Sequence, residues 1–84
     1  MNSQQCFELI KEKAIQEFHK YTDNAGDDSL FYEDDIIDVC VYRAIKSATT
    51  AAVTAASLTV TTEPGNPRDV VHEALCSVIS KELS

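Results

Sequence analysis

Ala44–Thr62, AIKSATTAAVTAASLTVTT, is the stretch whose reading decides the fold. Six alanines, six threonines and two serines fill fourteen of its nineteen positions, leaving Ile45, Val53, Leu58 and Val60 as the sizeable apolar side chains. Side chains this small let a second backbone approach closely, so the segment belongs at a tight packing contact. Followed back to Ile37, it joins a longer pattern. Ile37, Val41, Ala44, Ala48, Ala51, Ala55 and Leu58 stand at steps of 4, 3, 4, 3, 4 and 3, the heptad seam of a helix that packs along its length. Ile45, Ala52 and Ala56 widen the apolar side. The spacing predicts one long central helix over about residues 31–60. Its end is weaker, because Ser57-Leu58-Thr59-Val60-Thr61-Thr62 alternates with a strand-like period, and each threonine costs a helix about 0.5–0.7 kcal/mol relative to alanine. The helix is expected to fray or stop there.

Two further helices flank it. Phe7, Ile10, Ala14, Phe18 and Tyr21 recur at spacings of 3, 4, 4 and 3, one face of a helix over about residues 4–21, with Ser3 as its expected N-cap. Thr22 to Asp28 (TDNAGDD) carries the Asn, Gly and Asp residues of a helix stop and loop. Near the other end, Glu63-Pro64-Gly65-Asn66 breaks the chain. Asn66-Pro67 then reads as an N-cap followed by proline at the first helical position, with Asp69 a favourable acid in the first turn. Val71, Ala74, Leu75, Val78, Ile79 and Leu83 form the apolar face of a last helix over about residues 67–83. The fold class is therefore all-α, a single domain of three helices around a long Ala/Thr-rich centre.

The alanine seam has an energetic consequence. An alanine in place of a buried leucine forgoes about 2.4 kcal/mol, at about 0.8 kcal/mol per methylene. A chain of 84 residues buries only roughly 60–65% of the surface its unfolded form exposes. A second copy would make good the thin core, so a helical-bundle homodimer is expected, with Val41, Ala44, Ala48, Ala51, Ala52 and Ala55 at the oligomer interface.

Fourteen carboxylates against seven Lys and Arg give a formal charge of -7. That balance argues against direct binding to a nucleic-acid backbone or an anionic membrane and favours a basic protein surface. Cys6, Cys40 and Cys76 include no CxxC pair. The odd count and the lack of a secretory N-terminal pattern point to a reducing, cytoplasmic setting. The cysteines, one per helix, read as small buried hydrophobes.

Six carboxylates fall in the twelve positions 27–38, DDSLFYEDDIID, among large apolar side chains. Acids at a helix start are stabilised by the macrodipole, which alone would account for a charged, solvated entrance. The functional reading is a docking patch for a basic partner, made of Asp27, Asp28, Phe31, Tyr32, Glu33, Asp34, Asp35 and Asp38.

Two local resemblances touch the same region. Asp34, Asp35 and Asp38, at i, i+1 and i+4, resemble the acidic helix of all-α nucleotide pyrophosphatases of the MazG type. That resemblance implies magnesium held by acidic pairs on neighbouring helices, and no second pair stands elsewhere in the chain. Gly26-Asp27-Asp28-Ser29-Leu30 resembles the GxDSL pattern of acyl carrier proteins, which implies Ser29 as a phosphopantetheine attachment site. The loop before Gly26 is shorter than in that family, and the alanine-rich half has no counterpart there. An EF-hand is excluded because Gly26 stands at the wrong offset from Asp23. His19 falls on the polar side of the first helix and His72 reads as a boundary residue of the last. Neither is read as having a sequence-near cysteine at metal-ligand spacing, neither is assigned a role, and no catalytic residue, metal or cofactor is expected. The reading is a small acidic, non-enzymatic interaction protein, possible as a phage-type inhibitor of a nucleic-acid-binding protein. Its alternatives are a purely structural homo-oligomer or an acyl-carrier-like protein.

Overall fold

The computed structural model describes residues 2–25, 33–61 and 65–83. Among the described residues the chain is all-α, with no strand, in the order α1 (Ser3–Ala25), α2 (Glu33–Ser47), α3 (Thr50–Val60) and α4 (Pro67–Leu83). The expected three-helix count is corrected to four, because the segment 31–60 is not one helix.

It breaks at Ala48–Thr49. The Ser47 hydroxyl donates back to the Ala44 carbonyl at 2.9 Å, and the Ala48 amide bonds to Ile45 O at 3.1 Å, three residues back. Thr49 then takes an extended conformation (φ -72, ψ 156) and its side chain accepts from the Ala52 amide at 3.1 Å, capping the next helix. Hydroxyl side chains compete with the backbone for hydrogen bonds, which makes them poor helix interiors and good caps. The polar half of the small-residue stretch thus divides what its alanines would have continued.

The interruption changes which face is inside. Up to it the seam holds: Ile37, Cys40, Val41, Ala44 and Ile45 are buried. Beyond it, Val53, Ala56 and Ser57 are buried, whereas Ala51 is exposed and Leu58 is 57% exposed. Ala48, Ala52 and Ala55 lie partly buried against the core. Val41 and Ala44, expected at an oligomer interface, are enclosed in the chain's own core at 0% and 1% exposure, although Ala44 also borders a groove at the break.

α1 and α4 each pack against both α2 and α3, and touch one another only slightly. The α2–α3 pair is therefore central after all, broken but flanked on both sides. From α1 the core receives Cys6, Phe7, Ile10 and Ala14; from α4 it receives Val71, Leu75 and Ile79. Phe18 packs at its edge. Lys11 bridges the flanking helices with a 2.8 Å ion pair to Glu82, and lies 3.5 Å from Glu8.

The termini of α1 and α4 follow capping chemistry. Asn2, rather than Ser3, caps α1: its side chain accepts from the Gln5 amide at 2.8 Å while Gln5 Oε1 accepts from the Asn2 amide at 3.0 Å, a reciprocal capping box. α1 continues about one turn past Tyr21. Asn66 caps α4, its side chain accepting from the Arg68 amide at 3.1 Å, with Pro67 first in the helix and Asp69 in the first turn. No helix among the described residues is long and apolar enough to cross a membrane.

Candidate functional site

α2 opens with Glu33, Asp34 and Asp35, where the positive end of the helix dipole favours acids. Its inner face goes to the core through Ile37, Cys40, Val41, Ala44 and Ile45. A helix of 3.6 residues per turn then presents Asp35, Asp38, Val39 and Tyr42 together on the opposite side. All four are exposed. Val39 is 41% and Tyr42 57% exposed, both large apolar side chains that the described residues leave partly uncovered. Lys46, one turn further, stands 5.9 Å from the centre of the Tyr42 ring, within cation–π range. The result is a stripe of two carboxylates and two apolar side chains, closed at one end by a cation.

Of the residues expected to dock a partner, Asp35 and Asp38 lie on this stripe, and Glu33 and Asp34 begin the same helix. Asp27, Asp28, Phe31 and Tyr32 lie outside the described residues, as do Ser29 and the remainder of the Gly26–Leu30 pattern. Val39 and Tyr42 complete the stripe. Their signal in the sequence is their place opposite Ile37, Val41 and Ala44, visible once the seam is drawn.

A second constellation lies where α2 meets α4. His72 Nε2 is 2.6 Å from Asp38 Oδ1, a hydrogen bond donated by the ring nitrogen to the carboxylate. Cys76 Sγ is 4.0 Å from the same oxygen. One ligand atom from each of Asp38, His72 and Cys76 lies within 4.8 Å of the others. The Asp38 side chain is 64% exposed and that of His72 25%. Cys76, the half-buried member of three free cysteines, has its thiol pushed up to about 11 by burial first, then by the negative charges of Asp38 and Glu73. Burial, aided by Glu17, also raises Cys40. A thiol whose proton is held in this way is a weaker nucleophile than a free one. His72 was expected to be a boundary residue without a ligand role. The signal that finds it is its spacing of four from Cys76 on a well-capped helix, which puts both side chains on one face. Asp38, by contrast, is brought to them only by helix packing. It faces a histidine and a thiol, not the second acidic pair that the MazG-type resemblance implies.

Two grooves adjoin these features. One, of about 420 Å³, runs between Tyr42, Ile45 and Lys46 of α2 and Arg68, Asp69 and His72 of α4. The other, of about 290 Å³, sits at the α2–α3 break, where Ala48, Thr49 and Ala52 face Cys6, Leu9 and Ile10 of α1. Leu9 is among the exposed large apolar side chains.

No family model, curated protein or solved structure matches the chain.

Proposed function

We propose that this is a non-enzymatic interaction protein that docks on a basic protein surface through the outer face of α2. The observation that supports the reading is the stripe itself. Val39 and Tyr42 are partly uncovered apolar anchors on the same helix face as the carboxylates of Asp35 and Asp38. An exposed aromatic with carboxylates on one side and Lys46 on the other suits a partner that offers an apolar pocket with lysine or arginine at the acidic edge. The charge of -7 would steer such a partner in and repel nucleic acid. An inhibitor that occupies a nucleic-acid-binding surface has this chemistry.

The test is cross-linking and capture from the protein's own cells, comparing the native chain with a variant carrying Asp34→Asn, Asp35→Asn and Tyr42→Ala. Asp38 is left in place because it also holds His72. The reading requires a basic protein captured by the native chain, released by salt, and lost from the variant while its helical circular dichroism is unchanged. Equal capture by both chains would refute it.

Self-association is a second reading, favoured by the open groove at the α2–α3 break. There Ala48 and Ala52 stand beside the exposed Leu9, and a side chain from a second copy would fill the space. On that reading Leu9→Glu and Ala52→Glu convert a dimer to a folded monomer in native mass spectrometry. A native chain that is monomeric at high concentration rules it out.

A further inference from the structure

We propose that Asp38, His72 and Cys76 form a binding site for a zinc-class divalent transition-metal ion, clasping α2 to α4. The donors are one carboxylate, one imidazole and one thiol, all within 4.8 Å of one another. This mixed O, N and S set suits zinc or cobalt and not magnesium or calcium, which take oxygen ligands. A tetrahedral ion at about 2.0–2.3 Å from each donor needs donor–donor separations of about 3.3–3.6 Å. The His72–Asp38 separation of 2.6 Å would open by less than about 1 Å, and the Cys76–Asp38 separation of 4.0 Å would close by about 0.4 Å. The His72–Cys76 separation, within 4.8 Å, would close by no more than about 1.5 Å, a change on the scale of side-chain rotation. His72 and Cys76 sit four apart on α4, so one rigid helix fixes two donors. Asp38 comes from the neighbouring helix, 34 residues away in sequence. Three protein donors leave a fourth position for water.

The electrostatics point the same way. The carboxylates of Asp38 and Glu73 put negative charge beside the Cys76 thiol. The same field attracts a dication, which in turn stabilises the thiolate it binds. On binding, the S–H bond of Cys76 breaks, an S–metal bond forms and one proton leaves to solvent. The imidazole proton moves from Nε2 to Nδ1 through water, freeing the Nε2 lone pair for the ion. No electron changes hands.

The probe is Co²⁺ added to the reduced, chelator-treated full chain, followed by displacement with Zn²⁺. A thiolate-to-cobalt charge-transfer absorption at one ion per chain is expected, with one proton released per ion and bleaching by Zn²⁺. Cys76→Ser should abolish that absorption. His72→Gln, a change at the edge of the core, should weaken binding by at least about tenfold, the least that losing even an outer partner costs a metal site. Zn²⁺, but not Mg²⁺, should raise the melting temperature of the native chain and leave that of His72→Gln unchanged. Absence of the absorption would overturn the proposal, and so would its persistence in both variants. The buried Cys6 and Cys40 are the only other thiols in the chain, and persistence would assign the signal to them.

Discussion

Replacing Thr49 by alanine should destabilise the protein, and the sign of the effect separates a broken helix from a continuous one. Thr49 is exposed, so its removal costs little packing. Its hydroxyl oxygen accepts from the Ala52 amide at 3.1 Å, satisfying one of the amides that the start of a helix leaves without a partner. Losing such a cap costs about 1 kcal/mol, within a range of about 0.5–2. Inside an unbroken helix the same change would instead gain about 0.5 kcal/mol, the propensity difference between threonine and alanine. With a urea dependence of about 1–2 kcal/mol per molar for a small domain, a loss of about 1 kcal/mol lowers the unfolding midpoint by about 0.5–1 M. In a thermal scan it corresponds to about 4–8 °C. Thr50→Ala is the control, since Thr50 is the exposed first residue of α3 and its hydroxyl is not the cap; it should be neutral or slightly stabilising. Thr49→Ser keeps the accepting oxygen and should match the native chain. If Thr49→Ala raises the midpoint, as Thr50→Ala does, the break is not held by this cap and the account of the fold around it fails.

Two other perturbations follow from the core and its titratable groups. Leu75 is completely buried, so Leu75→Ala should cost about 2–5 kcal/mol. That is a large part of the roughly 4–13 kcal/mol a chain of this length holds in total. Leu58→Ala, at a site 57% exposed, should stay within about 0.5 kcal/mol; equal losses in urea melts would show that the buried face of α3 is misplaced. On the alkaline side, Cys76 is raised from 9.0 to about 11 and Cys40 is raised by burial, while the Glu82 hydrogen bond raises Lys11 above 10.5. In each case the folded state holds the proton more tightly. The contribution is therefore fully present below the unfolded value and is lost as pH rises through the folded one. Stability should fall between pH 9 and about 11, and Cys76→Ala should flatten that fall; an unchanged slope would remove Cys76 as its cause.

Much of the candidate site was legible residue by residue and not as an arrangement. Asp35 and Asp38 stand out as acids in an apolar context, and Tyr42 follows from the face opposite Ile37, Val41 and Ala44. His72 and Cys76 share a face of α4 by simple spacing. That Asp38 meets them is set by the angle and register at which α2 packs on α4, and no local pattern carries that information.

The sequence by itself determined the all-helical class, the capping of α4 by Asn66, and the buried faces of α1, α4 and the first half of the central segment. These follow from local rules: a 3.6-residue period, a side-chain oxygen near free amides, and a proline placed where no amide is needed. Only the tertiary structure decided that the centre is two helices and that the seam changes face between Ala44 and Val53. In a stretch of alanine, serine and threonine, helix continuation and interruption differ by about the strength of one cap, of order 1 kcal/mol. Packing of α1 and α4 against both halves is large enough to choose between them. The same packing enclosed Val41 and Ala44 and turned Leu58 outward, because a break of one or two residues rotates everything after it.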